Sequence, residues 1–134
     1  MVRGLELCCL FALVNCGSDA VTRSGLGEPV LLRVGQSAEL SGEGVHLGVS
    51  GVSEDSRCPE RVVCVWAGVA VVDVWLATSG GPRQELRLST GPFSGLAPAA
   101  EAAGYEVELL DVAPGKSSTL RPSDYRITLV VRRK

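Results

Sequence analysis

No stretch of this chain sustains a helical period; in its body, apolar residues recur at every second position instead. Tyr125, Ile127, Leu129 and Val131 alternate with Arg126, Thr128, Val130 and Arg132. Val45, Leu47 and Val49 alternate with His46, Gly48 and Ser50. Tyr105, Val107 and Leu109 stand opposite Glu106 and Glu108, and Leu86 and Leu88 opposite Glu85 and Arg87. Val30, Leu32 and Val34 share the pattern, and Ala38 and Leu40 resume it after a turn at Gly35-Gln36. A period of two sends successive side chains to opposite faces. Each run therefore has one apolar and one mostly polar side, as in an antiparallel sheet wetted on one face.

Turn chemistry separates the runs: Ser79-Gly80-Gly81-Pro82, Thr90-Gly91-Pro92, Ala113-Pro114-Gly115 and Arg121-Pro122-Ser123-Asp124. Two segments break the alternation. Val62 to Leu76 is apolar on both faces, with Asp73 its only charge and Gly68 interrupting it. It is shorter than a membrane helix and rich in Val, so it predicts a central strand or strand pair, with Gly68 as a bulge or bend. Leu96 to Gly104 (LAPAAEAAG) predicts one or two helical turns stopped by Gly104. The expected fold is an all-β antiparallel sandwich or small barrel of about seven to eight short strands. An immunoglobulin-type pin across two sheets is excluded, because the body cysteines Cys58 and Cys64 stand only six positions apart.

A chain of 134 residues, 46% hydrophobic, forms one domain with a real core. A net charge of −2 and 4% aromatic residues argue against nucleic acid as a partner. His46 is the single histidine, which removes any chemistry that needs two imidazoles.

The N-terminus reads as an address. Arg3 precedes a short apolar run from Leu7 to Val14, and small or polar residues follow at Gly17 and Ser18. Leu13-Val14-Asn15-Cys16 resembles the lipobox of bacterial lipoproteins, in which the Cys is lipidated and becomes the new N-terminus. Leu13, Cys16 and Gly17 match; Asn15 replaces the usual small residue, and Glu6 weakens the basic start. An ordinary cleaved signal is the alternative. The expected organisation is a signal peptide over 1–15, a flexible tether over 16–28 behind lipidated Cys16, and one β-domain over 29–134. Of the five cysteines, removal of Cys8 and Cys9 and acylation of Cys16 would leave Cys58 and Cys64 as an even pair in an oxidising compartment.

Those two sit in EDSRCPERVVCVWAG, Glu54 to Gly68, the one place where charges, cysteines, a proline and a tryptophan meet. As a zinc site the pair is short of ligands, and its spacing is not C-x-x-C. As a nucleophile either Cys has only His46 for a base. The pair reads as a structural disulfide, with a redox pair as the alternative. Glu54, Asp55, Ser56 and Arg57 form either a structural turn or a recognition loop held in shape by that bond. Asp55 and Arg57 are placed to pair with each other or with strand ends. Ser53, Glu54 and Asp55 lack the spaced acidic ladder of a calcium loop.

Trp66 and Trp75 read as core or sheet-packing residues. Trp75 shares a face with Asp73, which makes Trp66, Trp75 and Asp73 a candidate aromatic patch. His46 falls on a polar face. Glu85, Arg87, Glu106, Glu108, Arg126 and Arg132 suit cross-strand charge pairs, and Arg132-Arg133-Lys134 a solubilising end. The sequence contains no phosphate-binding loop, nucleophile elbow or zinc-protease motif.

The pattern V-x-E-D-S-R-C-P (Val52–Pro59) followed by C-V-W-A-G (Cys64–Gly68) resembles a group of uncharacterised small secreted or lipid-anchored bacterial proteins. Leu32–Ser37 (L-x-V-G-Q-S) and Tyr125–Val131 (Y-R-I-T-L-x-V) extend the resemblance over most of the chain. It implies an extracytoplasmic β-domain and no catalytic residues. The expected function is non-enzymatic: a lipid-anchored or secreted envelope domain that binds an envelope protein or ligand through the disulfide-closed loop. It uses no cofactor, and its only expected membrane contact is the lipid anchor. A secreted inhibitor of hydrolases and a thiol-redox protein are the competing readings.

Overall fold

A computed structural model describes residues 22–40, 44–59, 61–117 and 120–134. The expected all-β fold is present, as a sandwich rather than a barrel. Among the described residues there are nine strands: β1 (Thr22–Ser24), β2 (Val30–Arg33), β3 (Ser37–Leu40), β4 (Val45–Asp55), β5 (Ala70–Thr78), β6 (Gln84–Ser89), β7 (Ala99–Ala102), β8 (Tyr105–Ala113) and β9 (Arg126–Arg133). One sheet has the order β1-β3-β4-β5-β6, the other β2-β9-β8-β7. Pairing is antiparallel throughout except at β1, which runs parallel to β3.

The alternating runs supply the core as their period demands. Leu40, Val45, Leu47, Val49, Val72, Val74, Leu76 and Leu88 face inward from the first sheet. Val30, Leu32, Val107, Leu109, Ile127, Leu129 and Val131 meet them from the second. This interior is almost wholly aliphatic, so neither tryptophan is needed to fill it.

The signal segment 1–15 and Cys16 lie outside the described residues. The stretch expected as tether over 16–28 is attached to the domain from residue 22 onward. Thr22, Arg23 and Ser24 pair with Ala38, Glu39 and Leu40. The Gly25 amide donates to Glu28 Oε2 at 3.0 Å, and the Gly27 amide to the Val131 carbonyl at 2.8 Å.

Two expected elements differ. Ala99–Ala102 is a strand, not a helical turn. It forms a hairpin with β8 through Ala103 and Gly104, both at positive φ (52° and 82°). Two such residues in succession make the turn whose twist suits a hairpin, and cross-strand pairing overrides the helical preference of alanine. Of the apolar run Val62–Leu76, only Ala70 onward is strand; residues 61–67 are an exposed loop.

Candidate functional site

The β4–β5 connection begins where β4 reaches the mouth between the sheets. Register shifts between Val49/Gly51 and Val52/Glu54 each insert one residue into β4. Two insertions return the strand to its original phase. Asp55 therefore pairs with Ala70 and faces the second sheet, as Val52 does opposite Val72.

Arg57 folds back onto it. Its Nε and Nη2 donate to Asp55 Oδ1 and Oδ2 at 2.8 and 2.9 Å, a bidentate pair. Its Nη1 and Nη2 also donate to the Val112 and Pro114 carbonyls at 2.7 and 3.0 Å, at the end of β8. Tyr125, at the start of β9, donates its hydroxyl to Asp55 Oδ2 at 2.8 Å, and Lys116 Nζ donates to the Asp55 carbonyl at 2.6 Å. The side chains of Asp55 and Arg57 are only 10% and 16% exposed. One ion pair thus ties β4 to β8 and β9 across the mouth of the sandwich.

Burial pushes the Asp55 carboxyl up, but the hydrogen bonds from Arg57 and Tyr125 and the Arg57 charge outweigh it, leaving Asp55 below its ordinary range. The hydrogen bond to Asp55 holds Arg57 above its usual value despite burial. Burial, together with the bond to Asp55 and its charge, pushes the Tyr125 phenol up to about 12.

The next residue pair closes the neck of the loop. Ser56 and Val69 exchange a backbone bond of 2.8 Å, and the Ser56 hydroxyl contacts both the Val69 amide and carbonyl at 3.1 Å. Gly68 lies against the Ser56 carbonyl so closely that a Cβ would overlap it. Its glycine therefore serves a neck, not a bulge within a strand.

Beyond the neck, Cys58 and Cys64 are bonded, with Cα atoms 5.9 Å apart. The tip they close is apolar and uncovered: Val62 is 54% exposed, Val63 100%, Val65 90% and Trp66 84%. Trp66, expected as a core or sheet-packing residue, is a tip residue. Residues 61–67 lie beyond the neck and pair with no strand of either sheet.

The remaining candidates are dispersed. Trp75 covers Gly48 on the outer face of the first sheet, where a Cβ would overlap the indole, and Arg83 stacks on its ring at 3.9 Å. Asp73 lies two residues away in an exposed cluster, accepting from Arg87 Nε at 3.0 Å and from the Ser53 hydroxyl at 3.4 Å. Trp75 is five residues along β5 from Ala70, about 16 Å from the loop end. Trp66, Trp75 and Asp73 therefore form no single patch. Glu54 points away from Asp55 into an open cleft of about 390 Å³, with Val71, Arg87, Phe93, Ser94 and Leu96. His46 is exposed. Arg132 pairs with Glu108 at 2.6 Å and Lys134 with Glu101 at 2.6 Å, so the expected basic end is tied to acidic neighbours.

The pattern of residues left two things unread. Tyr125 counted as an apolar strand position, and its hydroxyl partner lies 70 residues away. The exposure of Val62, Val63 and Val65 was signalled only by their flanks, Pro59 and Gly68.

Comparison with protein-family models, with curated proteins and with solved structures finds no match for this chain. Fold and site together define an all-β sandwich domain with one local disulfide. That bond is compatible with an extracytoplasmic location, and no helix among the described residues is long and apolar enough to cross a membrane.

Proposed function

We propose that this chain is a lipid-anchored or secreted bacterial envelope domain with a non-enzymatic binding role, exercised through the disulfide-closed loop. The observation that carries this reading is the contrast within the loop. Asp55, Ser56 and Arg57 at its polar base are taken up by internal bonds, while its tip offers Val62, Val63, Val65 and Trp66 to the outside. Exposed aromatic and aliphatic anchors on a rigid support suit recognition, since little ordering entropy is lost on contact. The contact surface thereby moves from Glu54–Arg57 to Val62–Trp66.

A photo-crosslinking residue placed at Val63 in cells tests this against the same residue at Ser56. Crosslinks from Val63 and few from Ser56 are expected; the opposite pattern refutes a contact role for the tip. Lipidation is read separately from the mass of the membrane-bound species, which should begin at an acylated Cys16. Thiol-redox chemistry would require a labile bond; a reduction potential below about −300 mV is expected for a structural one.

A further inference from the structure

The tip and the chain's N-terminal side lie at the same end of the sandwich. β1 is parallel to β3 and therefore antiparallel to β4. Thr22 aligns with Ala38, Ala38 with Leu47, and Leu47 with Leu76. The chain thus enters β1 from the direction in which β4 climbs toward Asp55. From the level of Leu76, β5 covers six more residues to Ala70, about 20 Å. Six residues, Cys16 to Val21, precede Thr22, and these reach at most about 20 Å. Fully extended, that segment could bring a lipid on Cys16 as far as the level of Ala70, past which the tip projects.

The charges at that end suit a bilayer surface. Arg33 ends β2 and Arg126 begins β9, paired in register and both exposed. Arg61 is exposed at the base of the tip. Lys116 bonds the Asp55 carbonyl, and Arg121 is 80% exposed beside Asp124. Among the described residues the opposing acids nearby are Asp111, Glu54 and Asp124, the last paired with Arg121, and Glu60 precedes Arg61 in the sequence. Between Val62 and Gly68 the tip itself has no charged residue, and tryptophan favours the boundary between headgroups and acyl chains.

We propose that the disulfide-closed tip is a membrane-docking knuckle, inserting Val63, Val65 and Trp66 into the anionic bilayer surface to which Cys16 is attached. The inference rests on the anchored-domain reading above and adds a second point of membrane contact to the lipid. With the lipid, it fixes the long axis of the sandwich upright on the membrane and points the β7–β8 hairpin outward.

The test uses full chain isolated from the envelope and reconstituted in phosphatidylethanolamine–phosphatidylglycerol vesicles. Trp66→Ser supplies the Trp75 background for fluorescence. Bromines on the acyl chains should quench Trp66, and aqueous iodide should not reach it. Val63→Ser should weaken partitioning about tenfold, the scale of one buried aliphatic side chain. Replacing phosphatidylglycerol by neutral lipid should weaken it further. A Trp66 open to iodide on vesicles overturns the proposal, as does exclusive crosslinking of position 65 to protein. The mass of Cys16 in the same preparation separates the two readings. Unacylated Cys16 with quenched Trp66 removes the anchor and supports the knuckle; acylated Cys16 with iodide-accessible Trp66 keeps the anchor and removes the knuckle.

Discussion

At the base of the β4–β5 connection, Asp55 and Arg57 are charged and largely buried, and all the bonds they make run to the domain itself. Six residues beyond Arg57, Val63 is apolar and fully exposed. Each region inverts the usual placement of its residue type. At the base, burial of charge is made tolerable by complete pairing, which fixes where β4 meets β8 and β9. At the tip, exposure of apolar surface is maintained by the disulfide and by the Ser56–Val69 neck, which prevent collapse onto a sheet. The base therefore carries stability, whereas the exposed side chains of the tip carry little of it. That division is what substitution can break.

Arg57→Ala should have the largest effect. It leaves the Asp55 carboxylate buried without its partner and frees two carbonyls at the end of β8, costing about 3 kcal/mol. Denaturant unfolding followed by circular dichroism measures it. Arg57→Lys should recover only part of the loss, because an ammonium cannot span the carboxylate and both carbonyls. A loss under about 1 kcal/mol would place the stability elsewhere.

Removing the bond with Cys58→Ser plus Cys64→Ser should cost about 2 kcal/mol on the loop-entropy scale. The sheets should survive, since neither cysteine contributes to the core. Hydrogen exchange should rise over 58–67 and remain slow in β4 and β5. Exchange rising equally in both strands would show that the tip and base are one cooperative unit.

Tyr125→Phe should cost about 1 kcal/mol, one hydrogen bond to a carboxylate that retains Arg57. Its clearer signature lies in pH. The folded Tyr125 phenol titrates at about 12, above its unfolded value of about 10. The contribution is therefore complete below pH 10 and lost as pH rises toward 12. Phe at 125 should flatten that alkaline fall. Asp55 acts in the opposite window. Its folded pKa is lowered, so its contribution is present above pH of about 4 and disappears as acid protonates the folded carboxyl. Stability measured across pH in wild type, Arg57→Ala and Tyr125→Phe separates the two groups.

The alternating runs made the fold readable, because a half-buried strand writes its geometry into a period of two: Val45, Leu47 and Val49 go inward together, as do Ile127, Leu129 and Val131. The oxidising compartment expected for Cys58 and Cys64, and their closeness, made the disulfide readable as well. The tip was not. A short apolar run has the same composition whether it is covered by a second sheet or projects from a closed loop, and period alone cannot separate Val62–Val65 from Val71–Val74. That Asp55 and Arg57 would pair with each other or with strand ends was readable and both occur; that the strand end is that of β8, at Val112 and Pro114, was not, since it depends on two bulges that reset the phase of β4. Ala99–Ala102 shows the third limit, an intrinsic preference overruled by a neighbouring strand.

The smallest effect on stability belongs to the tip, and it sharpens the comparison most. Trp66 is 84% exposed and Val63 wholly so, so replacing either by serine removes almost no contact made within the fold. Trp66→Ser and Val63→Ser should each change unfolding free energy by less than about 0.5 kcal/mol, the range of an uninvolved surface position. In most domains a tryptophan is among the costliest residues to truncate, at about 3–5 kcal/mol. The difference between those magnitudes exceeds the uncertainty of a denaturant titration. If Trp66→Ser destabilises the domain by even about 2 kcal/mol, the indole packs against the sandwich in solution and the tip is not the free surface described. If Trp66→Ser leaves stability unchanged while envelope crosslinking from position 63 disappears, the indole stands in water for what it touches outside the domain.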